Sequence, residues 1–193
     1  MARHPVMVRQ VCPLVPFSPD ASPTLLASAE FVWEEHNTLE LSFSLRPTQL
    51  GQQLPILDFM DTAPGSSQGS GQRLDGLWEH TCFEAFFAQP NQDRYWELNV
   101  SPTGDWNLYR FESYRTDRVR EQTPKPMIHW QSSKRDCRCT IVLSLDPWWT
   151  PVQLPELAIS MVLEDSDNNL SYWALSHHGN EPDFHDRRAF LSA

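Results

Sequence analysis

Glu84, Glu97 and Asn99 are the residues of this 193-residue chain whose types and spacing point most directly to chemistry. In residues 78–87 the side chains alternate, which places Thr81, Phe83, Ala85 and Phe87 on one face and His80, Cys82, Glu84 and Phe86 on the other. In residues 95–101, Trp96, Leu98 and Val100 make an apolar face, and Tyr95, Glu97, Asn99 and Ser101 a polar one. Paired as consecutive hairpins, the two segments bring Glu84, Glu97 and Asn99 together, with His80 and Tyr95 nearby. Carboxylates and amides exchange hydrogen bonds with hydroxyls, and flat rings stack on the C–H face of a sugar, so such a face suits a polyol or saccharide. The same alternation belongs to any half-solvated sheet. Glu84 and Glu97 can also be read as partners of cross-strand arginines such as Arg46 or Arg110. A glycosidase would need two carboxyls ~5–9.5 Å apart around a cleft, which alternation does not establish.

A second cluster lies in the tail, where His177, His178, Asp183, His185 and Asp186 are close in sequence. Imidazole and carboxylate are zinc-ligand types, and His177, Asp183 and His185 are the residues a divalent metal would use. Their spacing is not that of a helix-borne pair, and the expected role is structural, with no metal: side chains satisfying loop backbone groups. Cys137 and Cys139 share a strand face and cannot readily bridge, so buried thiols are expected. Trp148 and Trp149 are expected to plug the end of a core rather than form a surface patch. Neither a nucleophile elbow nor a phosphate-cradling glycine loop is present.

The elements that must position these residues read as strands. Sixteen prolines against seven glycines, with 11% aromatics, favour strands and irregular loops. Alternation marks residues 39–46, 138–145, 157–164 and 170–176, with shorter strands at 5–12, 30–34, 105–111 and 127–130. The Asp-Ser-Asp-Asn-Asn run at 165–169 reads as a hairpin loop, and the Gly- and Ser-rich residues 63–72 as a flexible internal loop. The expectation is one all-β domain over residues 1–193. It is a two-sheet antiparallel β-sandwich, jelly-roll-like, with little or no helix and an irregular segment at 177–193.

A formal net charge of −10 argues against nucleic acid and against anionic membrane surfaces as partners. Residues 1–16 carry no continuous apolar stretch of signal-peptide type, and no stretch approaches a membrane span. A cytoplasmic location with reduced cysteines is the expectation.

Two motifs carry a family resemblance. Arg73-Leu-Asp-Gly-Leu-Trp-Glu-His-Thr-Cys-Phe-Glu84 and Tyr95-Trp-Glu-Leu-Asn-Val-Ser-Pro-Thr-Gly-Asp-Trp-Asn-Leu-Tyr109 resemble the bacterial DOMON-like proteins related to family 9 carbohydrate-binding modules. The stretches Ser171-Tyr-Trp-Ala-Leu-Ser-His177 and Pro182-Asp-Phe-His-Asp186 resemble the same group. The resemblance implies a β-sandwich and a sugar held between tryptophan rings, and Trp78, Trp106 and Trp173 are the tryptophans within matching motifs. Other DOMON members bind haem b through Met and His, but Met60, Met127 and Met161 stand in no motif aligned with those ligands. The reading is a non-catalytic domain for a small-molecule ligand, a carbohydrate or polyol. Its alternatives are a haem or redox domain, an enzyme using Glu84 or Glu97 as base, and a protein-interaction domain built around Trp148.

Overall fold

The computed structural model describes residues 6–18, 24–34, 37–49, 54, 71–133, 135–146, 148–149 and 154–192. The loop expected at 63–72 lies outside these residues except at its last two positions, and Met60 lies outside them too.

Eleven strands follow one another along the chain: β1 (Val6–Pro16), β2 (Leu25–Glu34), β3 (Thr38–Pro47), β4 (Cys82–Ala88), β5 (Tyr95–Val100) and β6 (Trp106–Phe111), then β7 (Val119–Arg120), β8 (Met127–Ser132), β9 (Cys137–Ser144), β10 (Glu156–Glu164) and β11 (Leu170–Ala174). Only two short 3₁₀ turns, Leu77–Glu79 and Arg187–Ala189, interrupt the all-β pattern among the described residues. The hairpin at 165–169 is built as its composition requires. Asn168 takes a left-handed φ of 62°, and the Asp165 carboxylate accepts from the backbone N–H of Asp167 and Asn169.

The two layers of the sandwich belong to one antiparallel sheet, in the order β7-β6-β5-β4-β10-β11-β1-β2-β3-β9-β8. A separation into two sheets was the expectation; β1 joins them. Its length lets it pair with β2 along most of its course and with β11 at its end, Val15 opposite Ala174 and Pro16 opposite Trp173. β3 and β4 stand five places apart in that order, ~24 Å in a flat sheet. Yet the Phe43 and Phe83 rings are 5.1 Å apart, so the sheet curls over and closes on itself.

Between the layers lies the main core. Alternation fills it from both sides, with Leu39, Leu41, Phe43 and Leu45 of β3 facing Phe83, Ala85 and Phe87 of β4. Trp149 is fully buried with its ring edge-on to Trp33, and half-buried Trp148 stacks on Trp96 at 5.1 Å. The pair therefore plugs the core, as expected, and offers no aromatic surface patch. Cys137 and Cys139 point into the same core as free, buried thiols. Burial pushes Cys137 up to about 12 and Cys139 well above the ordinary thiol range.

A second, smaller core sits on the outer face of β4, β5, β6 and β10. Phe86, Tyr95, Tyr109, Phe111 and Phe190 form it, with Trp78 and Phe184 packed against its edge. Alternation alone allows a half-solvated face here. It is covered instead, and its covering makes the site.

Candidate functional site

Register places the polar residues of the outer face. Glu84 lies directly opposite Asn99 on β5 and opposite Ser160 on β10, while Glu97 lies opposite Phe86 and Tyr109. Glu84 and Glu97 are thus diagonal neighbours on one face, as the alternation indicated. Three segments close over them. The turn Leu77–Glu79 carries Trp78, residues 113–118 carry Arg115 and Arg118, and the tail lays Phe184 and His185 across the strands.

Each covering segment has a local cause. Gly76 enters the first turn at φ 77°, a conformation that glycine adopts without the Cβ clash. Asp75 anchors that turn, accepting from the Tyr109 hydroxyl at 2.5 Å, Asn107 Nδ2 at 2.9 Å and Arg120 Nη2 at 2.7 Å. Those bonds hold its carboxyl below the usual carboxylate range, the Arg120 bond most of all. Arg73 fixes the preceding residues, donating to Asn107 Oδ1, Leu108 O and Glu121 O from a position over the Trp106 ring. In the second segment, Arg115 and Asp117 both take positive φ, near 54° and 53°. The Arg115 N–H donates to Tyr95 Oη at 3.1 Å, and its guanidinium pairs with Asp183 at 2.9 Å, tying this segment to the tail. The tail is held further by Tyr114, which donates to Asp183 at 2.7 Å, by a bond between Tyr95 Oη and His185 Nδ1 at 2.6 Å, and by a backbone bridge between Leu157 and Leu191.

The enclosure leaves a cavity of about 350 Å³. Glu84, Phe86 and Glu97 are among its floor residues; Trp78, Tyr172 and Phe184 supply rings to the wall, and Arg115, Arg118 and His185 line it too. Its size falls within the ~300–1,000 Å³ of small-molecule sites. A second, more open cavity of about 820 Å³ adjoins it, lined by His80, Ser101, Thr103 and Asp105, and shares Trp78 and Arg118 with the first.

Burial sets the electrostatics of the floor. Glu84 is 3% exposed, and its Oε1 has no hydrogen-bond partner among the described residues. Burial first, and then the charge of Glu97, hold its carboxyl well above the ordinary range. Glu97 Oε1 accepts from Asn99 Nδ2 at 2.7 Å, which favours the ionised form. Burial outweighs that bond and lifts its pKa to about 7. His185 Nε2 stands 3.7 Å from Glu97 Oε2. Burial, aided by the nearby Arg115 charge, depresses His185 to about 3, so it is neutral at pH 7. Arg118 lies over the Trp78 and Tyr109 rings, 5.4 and 4.9 Å from their centroids.

Of the residues singled out from sequence, Trp78, Glu84 and Glu97 line the cavity. Asn99 stands beside them and orients Glu97. Tyr95 lies under the tail and positions His185 rather than facing the space. His80 is not on the strand, because β4 begins at Cys82; it is exposed, bonds Glu164 at 2.7 Å and lines the neighbouring cavity. Trp106 and Trp173 are corrected outright. Both point into the main core, Trp106 beneath Arg73 and Trp173 bonded to Ser171 Oγ, and neither can stack on a ligand there. The arginine pairing also fails. Arg46 belongs to β3 in the other layer, and Arg110 binds Glu112 and Glu121. Arg115, Arg118, Tyr172 and Phe184 were not foreseen; Tyr172 comes from β11 and the others from segments outside the strands, all distant in sequence from β4 and β5.

The tail residues weighed as metal ligands have other partners. His177 Nε2 meets Val15 O, Asp183 binds Tyr114 and Arg115, and His185 binds Tyr95. Among the described residues, no group of three or more His, Cys, Asp or Glu is placed to hold a metal. For haem, Met161 is buried in the core, Met127 is an exposed residue of β8, and neither lines the cavity.

No protein-family model and no curated protein matches this sequence. Among solved structures, the chain is similar to a protein of Bacteroides uniformis described as a candidate carbohydrate-binding protein, at 12% identity over 94% of this chain and 84% of that one, with a TM-score of 0.60. A family 9 carbohydrate-binding module from Caldicellulosiruptor kristjanssonii, solved with glucose, overlaps more loosely, at 11% identity over 85% of this chain and 72% of that one and a TM-score of 0.46, too low to carry an argument. At these identities the likeness is one of fold. It agrees with the all-β sandwich.

Proposed function

We propose that this chain is a non-catalytic carbohydrate-binding domain that holds one small saccharide or polyol unit in the cavity between Trp78 and the Glu84–Glu97 floor. The observation that carries it is that partly open cavity, with the Glu84 and Glu97 side chains at its floor and aromatic rings on its wall. Carboxyls at the floor exchange hydrogen bonds with a ligand's hydroxyls. The Trp78 ring offers a flat apolar surface to a sugar's C–H face. Two further points support the reading: the shared fold with a candidate carbohydrate-binding protein, and the resemblance of residues 73–84 and 95–109 to DOMON-like and family 9 motifs. Calorimetry with a panel of mono- and disaccharides tests it. Binding that is lost in Trp78→Ala, whose thermal transition stays near wild type, is the expected result. No heat with any saccharide would overturn it.

One observation favours a second reading. Two carboxyls with raised pKa share one cavity, and Glu97 at about 7 lies where a general acid–base works best. An enzyme acting on a small polar substrate by proton transfer would use them. NMR of each bound sugar over hours decides: conversion supports this reading, and an unchanged spectrum leaves the binding domain.

A further inference from the structure

Two carboxyls, Glu84 and Glu97, share the cavity floor. Glu84 Oε1 is buried with no hydrogen-bond partner among the described residues, and the Cys82 thiol is the side-chain donor that bears on this carboxyl. Glu97 spends Oε1 on Asn99, while its Oε2 faces a neutral imidazole at 3.7 Å. The guanidiniums that line the cavity act on these carboxyls through space and not by direct pairing. Arg115 is committed to Asp183, Arg118 lies against the Trp78 and Tyr109 rings, and neither forms a salt bridge with Glu84 or Glu97. A sugar hydroxyl brings one hydrogen and no charge to these two carboxyls. An ammonium group brings three hydrogens and no lone pair. The wall agrees with that choice, since Trp78, Phe86, Tyr172 and Phe184 surround the space and aromatic faces attract cations.

We infer that the ligand of this cavity is an amino sugar, with its ammonium group set against Glu84 and Glu97 inside the aromatic wall. The inference rests on the saccharide reading above and narrows it. In the free protein, burial favours the uncharged form of Glu84. An ammonium restores the ionised form, so its binding expels a proton from the site, whereas a neutral sugar leaves the protonation state as it was.

Calorimetry on the whole chain at pH 6.5 tests this. The probes are glucosamine, galactosamine and mannosamine, each beside its parent hexose and its N-acetyl form, together with cyclohexylamine as a cation without hydroxyls. At least one hexosamine is expected to bind about tenfold or more tighter than its parent, the scale of one charge-assisted hydrogen bond. Its N-acetyl form falls back to the parent's level. Repeating the titration in buffers of different ionisation heat shows proton release for the hexosamine alone. Glu84→Gln removes the tenfold preference; should that variant not fold, the buffer comparison on the wild type decides. Equal binding of hexose and hexosamine overturns the ammonium inference and leaves the saccharide reading standing. Cyclohexylamine binding as tightly as any hexosamine, with no hexose bound, upholds the ammonium and removes the saccharide. No binding by any probe removes both.

Discussion

Glu97 shows how burial turns one side chain into a pH-dependent liability. Its folded pKa, about 7, lies above its ordinary value of 4.5. Between those values the folded chain binds more protons at this residue than the unfolded chain does. Stability contributed here therefore falls as pH rises from about 4.5, and the loss is complete above about 7. Replacing Glu97 by Gln removes the titration and keeps the shape. The variant's unfolding free energy, compared with wild type in urea at several pH values, is expected to differ little near pH 4.5. It should exceed wild type by roughly 3 kcal/mol above pH 7. A constant difference across the range would show that Glu97 is not the buried acid described. Trp78→Ala tests the opposite behaviour, since Trp78 is only half-buried: ligand affinity drops about tenfold or more while stability moves by about 1 kcal/mol. The alternation of residues 78–101 made it legible that Glu84, Glu97 and Asn99 share a face. That the face is dry was not legible, because Phe184 and His185 close it from the far end of the chain.

At the scale of elements, most strands were readable and their boundaries less so. The turn at Leu77–Glu79 was taken for strand because Trp78 falls in phase with the alternation that follows. The signal against it was Gly76, whose positive φ breaks the extended chain. β7, two exposed residues long, has too little sequence to show a period. The covering segments are where function depends on structure outside the strands. Gly76→Ala leaves ordinary contact distances, the nearest atom being a Glu79 carboxylate oxygen at 3.5 Å, so its cost is backbone strain alone. That cost is about 1–2 kcal/mol. Its larger effect should be on ligand affinity, through a displaced Trp78; unchanged affinity in a folded variant would mean the turn does not set the cavity wall. In the tail, Phe190 packs against Phe86 and Tyr95. Phe190→Ala is expected to cost roughly 3 kcal/mol by chemical denaturation and to quicken amide exchange at residues 183–189, where the tail crosses the cavity.

For the molecule as a whole, the all-β sandwich was readable from the spacing of strands and turns. Its closure as one sheet was not. The reason is β1, whose role at the seam depends on two pairings at its end that no alternation can indicate. The seam has consequences for the site, because Phe17 N–H donates to Tyr172 O at 2.8 Å where β1 meets β11, and Tyr172 is part of the cavity wall. A core filled from both layers also binds the halves into one cooperative unit. Unfolding followed by near-UV and far-UV circular dichroism should give superimposable transitions. Separated transitions would show that the layers melt independently and that the seam is weak.

The distribution of the eight tryptophans gives the molecule an optical asymmetry. Seven lie in the main core or pack against it, where Trp96, Trp148 and Trp149 crowd one another, and Trp78 stands apart in the cavity wall. A ligand entering that space touches one emitter in eight. The bulk of the intrinsic fluorescence then reports the integrity of the core, and the small component that responds to occupancy belongs to Trp78. Subtracting the spectrum of Trp78→Ala from that of the unaltered chain isolates a built-in reporter, with no label attached.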